Sequence, residues 1–226
     1  MTNLWTEKET VRRLAARSGN IGLAEELAWR DVLTRHINAG QRSAHLLDIG
    51  TGTGWLPILM ANRRLKVTGV DSSESLIEIA RQRAWEAEQD VKFVVGSAED
   101  LQFPNAAFDA VTMVNALSAF TNPRGVVQAA ERVLKPAGRL LIVEDDRGSA
   151  DYETFLKAVN PPRQTAAPLW NATAEDVTQF LTLNGWQNVQ TFQMRGQLDR
   201  GGSYRFRPYA VGYTLTVAEK GGSIPL

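Results

Sequence analysis

The chain has 226 residues, with 25 basic and 25 acidic side chains, two histidines and no cysteine. That length suits a single α/β domain with a modest extension, and the balanced charge argues against bulk electrostatic binding to nucleic acid or an anionic membrane. Without cysteine there is no disulfide, thiolate metal site or thiol nucleophile, and two histidines are too few for a His-rich metal centre, so no metal is expected.

Residues 1–40 read as helical. Lys8 to Ala16 and Leu23 to Ile37 space apolar residues for helices, the second through Leu23, Leu27, Val32, Leu33 and Ile37. Ser18-Gly19-Asn20 breaks the two, and Gly40 lies where a helix cap is expected. These helices are expected to form a lid. Met1 to Arg13 is charged and lacks the apolar stretch of a signal peptide, and runs such as Leu140–Val143 are too short to span a bilayer, so a cytoplasmic location is expected.

From residue 44 short apolar runs alternate with amphipathic stretches. Ala44–Ile49, Lys66–Val70, Val91–Val95, Phe108–Val114 and Arg139–Val143 read as strands. Leu56–Arg63, Ser75–Glu88 and Gly125–Leu134 read as helices between them, and Val95 to Phe108 as mostly loop. Continuously apolar strands separated by helices predict a doubly wound, mostly parallel sheet covered on both faces. Residues 41–146 would form its core. Residues 147–226 would add an insert (Asn160–Pro168), a helix (Ala174–Asn184) and two strands, Val189–Met194 and Tyr209–Val217, for seven strands in one domain. The last two could form a reversed hairpin on the sheet edge.

The sharpest local signal is Leu46-Leu47-Asp48-Ile49-Gly50-Thr51-Gly52-Thr53-Gly54, between a predicted strand and a predicted helix. Glycines there permit a sharp turn and close approach of a ligand to the main chain. The dinucleotide fingerprint would need glycine at position 55, where Trp55 stands, and no Gly-Lys-Ser/Thr follows to make a P-loop. Val67-Thr68-Gly69-Val70-Asp71 ends the second strand on a carboxylate that can accept both hydroxyls of a ribose. The less favoured reading is a turn residue before a helix capped by Ser72 or Ser73.

Asp48–Gly54 resembles motif I of class I S-adenosylmethionine-dependent methyltransferases, and Asp71 the acid of that family's second motif. Val95–Pro104 resembles its adenine-binding segment, Phe108–Val111 its fourth strand, and Arg132-Val133-Leu134-Lys135-Pro136-Ala137-Gly138-Arg139-Leu140 the approach to its fifth. The ordered segments cover roughly residues 44–146, and the small-molecule subgroup is the most similar. The resemblance implies a Rossmann-like fold, S-adenosyl-L-methionine as cofactor and S-adenosyl-L-homocysteine as product. It places Gly50, Thr51, Gly52 and Gly54 beneath the methionine part, with Asp48 reaching its ammonium directly or through water. Asp71, with Ser72 beside it, would hold the ribose. Ala98 would face the adenine ring, with Ser97 or Glu99 near its amine, and Asn115 would lie beside the sulfonium. Ser97 stands where the family commonly has aspartate, which weakens the expected amine contact.

Polar methyl transfer needs alignment of an acceptor lone pair, the exclusion of water and, for an oxygen acceptor, usually a base. Related enzymes often carry histidine after the fourth strand, but Asn115-Ala116-Leu117-Ser118-Ala119-Phe120 has none. The catalytic group is therefore left unknown, with His36, Glu144, Asp145 and Asp146 as candidates. The acids follow the fifth strand, at the ligand-bearing edge of a parallel sheet, where a solvated strand end is the competing role. His45 precedes the first strand on the wrong side. Trp5, Trp29, Trp170, Tyr204, Phe206 and Tyr209 could line an acceptor pocket or simply pack. Arg30 could meet the cofactor carboxylate, and Arg195, Arg200, Arg205 and Arg207 an anionic substrate or solvent. Asn160-Pro161-Pro162-Arg163 imitates an amino-methyltransferase motif, but after the wrong strand and without its aromatic residue.

The expected function is methylation of a small molecule, such as a natural-product intermediate, at oxygen or nitrogen. The alternatives are cyclisation or decarboxylation on the same cofactor-binding fold, a non-catalytic binding protein, or peptide methylation.

Overall fold

A computed structural model describes residues 23–37, 43–145, 167–169, 171–194 and 213–221. The elements are α1 (Leu23–His36), β1 (Ala44–Ile49), α2 (Trp55–Met60), β2 (Leu65–Asp71), α3 (Glu74–Glu86), β3 (Lys92–Val95), β4 (Phe108–Val114), a 3-10 turn (Leu117–Ala119), α4 (Pro123–Val133), β5 (Leu134–Asp145), α5 (Ala174–Leu183), β6 (Gln187–Met194) and β7 (Tyr213–Glu219). Seven strands form one sheet in the order β3-β2-β1-β4-β5-β7-β6. β1 through β5 pair in parallel, and β7 runs antiparallel to both β5 and β6. The expected edge hairpin is present, with its reversed strand β7 inside and β6 at the rim.

The chain moves outward from β1 to β3, then returns to lay β4 against the other side of β1. This reversal opens a crevice at the carboxyl ends of β1 and β4, where a parallel sheet offers a ligand site. Side chains alternate between two apolar layers. Leu47, Ile49, Val111, Met113, Leu140 and Ile142 face α4 and α5 on one side. Leu46, Ala110, Leu141 and Val143 pack with α1 and α2 on the other. Both layers are buried and apolar, which accounts for the continuously apolar strands.

Local chemistry moves several boundaries away from the expected ones. α2 ends at Met60 because the Asn62 side chain accepts the N–H groups of Arg64 and Leu65, turning the chain into β2. α4 starts two residues before Gly125, with Pro123 in its first turn and Asn122 accepting the Gly125 N–H. β5 begins at Leu134 because Leu134 pairs with Phe108 before the register shifts to Ala110 and Arg139. Along α1 and the residue that follows it the buried stripe includes Trp29, Leu33 and Ile37, an i, i+4, i+8 row, whereas Leu27 is 52% exposed. This part of the expected lid therefore packs directly on the sheet. Tyr209, Gly40, the 8–16 helix and the 160–168 insert lie outside the described residues, apart from Ala167 and Pro168. No helix among the described residues is long and apolar enough to cross a membrane.

Leu140 is fully buried at the centre of the α4-facing layer. Leu140→Ala is expected to lower unfolding stability by about 2–5 kcal/mol, read as a reduced denaturant midpoint at constant slope.

Candidate cofactor site

The glycine loop leaves β1 and wraps over the carboxyl end of β2, where Gly50 and Thr51 donate their N–H groups to the Val70 carbonyl at 2.9 and 3.0 Å. Gly50 and Gly54 have φ of 70° and 74°, in the left-handed region that glycine tolerates. A Cβ on Gly54 would lie 2.6 Å from the Phe93 ring and 2.8 Å from the Ala80 Cβ, and one on Gly50 would lie 2.7 Å from the Ala116 Cβ. These two glycines let the loop fit between β3, α3 and the segment after β4. A Cβ built on Gly52 meets nothing within 4 Å among the described residues, which leave the middle of the loop open. Gly54 caps α2, and Trp55 starts that helix in place of the third fingerprint glycine.

Asp48 is 3% exposed, and both of its carboxylate oxygens accept hydroxyl hydrogens at 2.7 Å, one from Thr51 and the other from Thr112. Thr112 is its register partner on β4. The bonds tie the loop, β1 and β4 together. Burial pushes the Asp48 carboxyl up to about 7, against the two hydroxyl bonds and with a smaller contribution from the Asp71 charge.

Asp71 sits at the tip of β2, less buried. Its oxygens accept the Gly52 and Ser73 N–H groups, both at 2.9 Å, and the Ser72 N–H also favours the ionised form. Burial outweighs these bonds and raises its pKa. Asp71 thus closes the glycine loop from beneath, while its partly exposed carboxylate remains at the crevice. Ser73, rather than exposed Ser72, caps α3 by accepting the Leu76 N–H.

After β3, Ser97 accepts the Glu99 N–H at 3.2 Å, and Ala98 packs partly buried on the core. Glu99 accepts from Asn122 Nδ2 at 2.9 Å, so the segment after β3 is joined to the start of α4. Arg132 braces the same loop from α4, donating to the carbonyls of Leu101 and Phe103 and to Asn105 Oδ1. Asn115 has φ 50°, and its Oδ1 accepts the Asp145 N–H at 3.0 Å.

The structure thus gathers Asp48, Gly50, Thr51, Gly52, Gly54, Asp71, Ser72, Asn115, Glu144 and Asp145 at the carboxyl ends of β1, β2, β4 and β5, with Ser97, Ala98 and Glu99 just past β3. His36 is not among them. It ends α1, about 10 Å along the helix from Trp29, with its ring against Phe192 and its carbonyl accepting from Arg139 at the amino end of the parallel run of β5. Burial and the Arg139 and Arg35 charges lower its pKa. His45 lies at the start of β1, where its N–H donates to Asp109. Arg30 donates to the Leu59 carbonyl. Trp29 is buried edge-on to Trp55 and Tyr213, at 5.1 and 5.2 Å between ring centroids. Asp146, Asn160–Arg163, Trp5, Trp170, Tyr204, Phe206, Tyr209 and the four arginines at 195, 200, 205 and 207 lie outside the described residues. Among the described residues no His, Cys, Asp and Glu group is placed to hold a metal.

The residues that sequence patterns missed are Thr112 and Ser118. A lone hydroxyl in the apolar run Ala110-Val111-Thr112-Met113-Val114 was the available signal for the first. Ser118 carried no comparable signal.

A Rossmann-like sheet, a glycine loop and two carboxylates on neighbouring strands thus meet at the crevice where a parallel sheet offers a ligand site. The family described as Methyltransferase domain matches residues 47–142. A 27-O-demethylrifamycin SV methyltransferase of Amycolatopsis mediterranei is 32% identical over 219 residues, covering 81% of this chain and 79% of that protein. The chain belongs to the S-adenosylmethionine-dependent methyltransferases. A demethylmenaquinone methyltransferase of Thermotoga maritima is 40% identical over 101 residues, and the match spans 44% of this chain but only 42% of that protein. In fold the chain is similar to the cyclase SpnF, with a TM-score of 0.66 at 22% identity, over 91% of this chain and 86% of that one.

The raised Asp48 pKa makes stability depend on pH. The folded state holds this proton more tightly than the unfolded state, so the contribution is present at low pH and lost as pH rises toward about 7. Asp71 acts in the same direction and Asp109 in the opposite one. The ligand-free protein is therefore expected to lose more stability between about pH 5 and about pH 8 than Asp48→Asn does, in parallel thermal melts.

Proposed function

We propose that the chain transfers a methyl group from S-adenosyl-L-methionine to an oxygen or nitrogen of a small molecule, such as a natural-product intermediate. The observation that carries this reading is the placement of Asp48 and Asp71 on either side of an open glycine loop at the sheet's reversal point. The residues present fit that cofactor. Asp71 offers acceptor oxygens to a ribose, and Asp48 supplies buried negative charge near an ammonium. Loop 97–99 offers main-chain and side-chain groups to an adenine. When bound, the cofactor supplies a methyl group already activated on a sulfonium. The chain's own task is to hold the donor rigidly, align the acceptor and keep water out. The small-molecule assignment is supported by the name of the Amycolatopsis mediterranei relative and by the zero net charge.

Asp48 must be ionised to answer an ammonium, so affinity for S-adenosyl-L-homocysteine is expected to rise with pH up to about 7. Asp71→Ala is expected to weaken this binding at least tenfold, roughly the loss of one hydrogen bond to a charged group. Calorimetric titration checks both, and absence of binding to the wild-type chain would refute the cofactor assignment. The reaction is tested by mass spectrometry of candidate acceptors incubated with S-adenosyl-L-methionine. A product heavier by one methyl is expected, whereas a converted product of unchanged mass would point to cyclisation.

A further inference from the structure

Glu144 lies at the end of β5 and looks, from its position, like a base for the acceptor. Its surroundings assign it another task. It is 5% exposed, and both carboxylate oxygens face the 3-10 turn after β4. Oε1 accepts the Ser118 N–H at 3.1 Å, and Oε2 accepts the Ser118 hydroxyl at 2.9 Å. Two more bonds join the same strand ends. Asn115 donates its N–H to the Val143 carbonyl at 2.7 Å, and Asn115 Oδ1 accepts the Asp145 N–H at 3.0 Å. The left-handed φ of Asn115 turns the chain out of β4 between these bonds.

The segment held in this way leans on the glycine loop. A Cβ on Gly50 would lie 2.7 Å from the Ala116 Cβ and 3.7 Å from the Phe120 ring. Residues 115–120 therefore form a wall of the crevice beside the loop, tied to β5 through Ser118 as well as Asn115. A bond to a buried carboxylate is strong and costly to break, so this contact can help to fix a short turn.

We propose that Glu144 is a positioning residue that acts through Ser118 to hold residues 115–120 against the glycine loop. This rests on the cofactor reading above, because that wall then borders the methyl group. The chemistry of glutamine separates positioning from base catalysis. In Glu144→Gln the side-chain oxygen can still accept the Ser118 N–H, and its NH2 can donate to the Ser118 oxygen, but a carboxylate base is gone.

The test combines hydrogen exchange of residues 115–120 with calorimetric binding of S-adenosyl-L-homocysteine. Glu144→Gln is expected to stay within about twofold of wild type in both. Glu144→Leu and Ser118→Ala are expected to speed exchange of the Ala119 and Phe120 amides at least tenfold and to weaken binding, with the double variant no worse than the more damaging single one. Ser118→Ala keeps the test alive if Glu144→Leu does not fold. Unchanged exchange in Ser118→Ala, or a Glu144→Gln protein as impaired as Ser118→Ala, would overturn the proposal. A wild-type chain that fails to bind S-adenosyl-L-homocysteine would refute the cofactor reading alone, since exchange reports on the turn independently.

Discussion

A carboxylate buried between two strands is the constraint on which the site depends. Asp48 has almost no access to water, yet both of its oxygens are hydrogen-bonded, to the loop that follows its own strand and to the strand beside it. An isolated charge there would be costly: burial raises the Asp48 pKa, and the hydroxyls of Thr51 and Thr112 offset part of that rise. The carboxylate couples the position of the glycine loop to the β1–β4 pairing, the point where the sheet reverses direction. A cation brought by a ligand would find both carboxylate oxygens already held in place and would favour their ionised form.

The surrounding bonds extend this tie outward. Asp71 fastens the middle of the loop to the tip of β2, and Arg83 donates to Thr53 Oγ1 at 2.9 Å from α3. Arg132 and Asn122 brace the segment after β3, while Glu144 and Asn115 brace the segment after β4. The described segments that leave β1, β3 and β4 at the crevice are thus anchored by polar side chains from neighbouring elements. Loops on a rigid sheet gain functional precision in this way, since the apolar layers alone would leave them mobile.

Much of this was legible in the sequence, for identifiable reasons. Strands buried on both faces leave uninterrupted apolar runs, so β1, β2 and β4 stood out within a residue or so. The glycines and the two acids were legible because their conformations and positions demand particular residue types. The boundaries of α2, α4 and β5 were less so, because Asn62, Pro123 and the Leu134 pairing act through single side chains or one bridge. The partners of Asp48 and Glu144 were hidden for a different reason. Thr112 and Ser118 are 64 and 26 residues away from the carboxylates they meet, and only the pairing of strands brings them together. The same cause separates His36 from the crevice, since a helix that packs along the sheet carries its two ends to opposite edges.

The most direct measurement is the crystal structure of the chain bound to S-adenosyl-L-homocysteine. The ribose hydroxyls should lie within hydrogen-bonding distance of Asp71, and the amino-acid part should lie over Gly50 to Gly54, facing residues 115–120. A ligand seated elsewhere, or a ribose turned away from Asp71, would contradict the account.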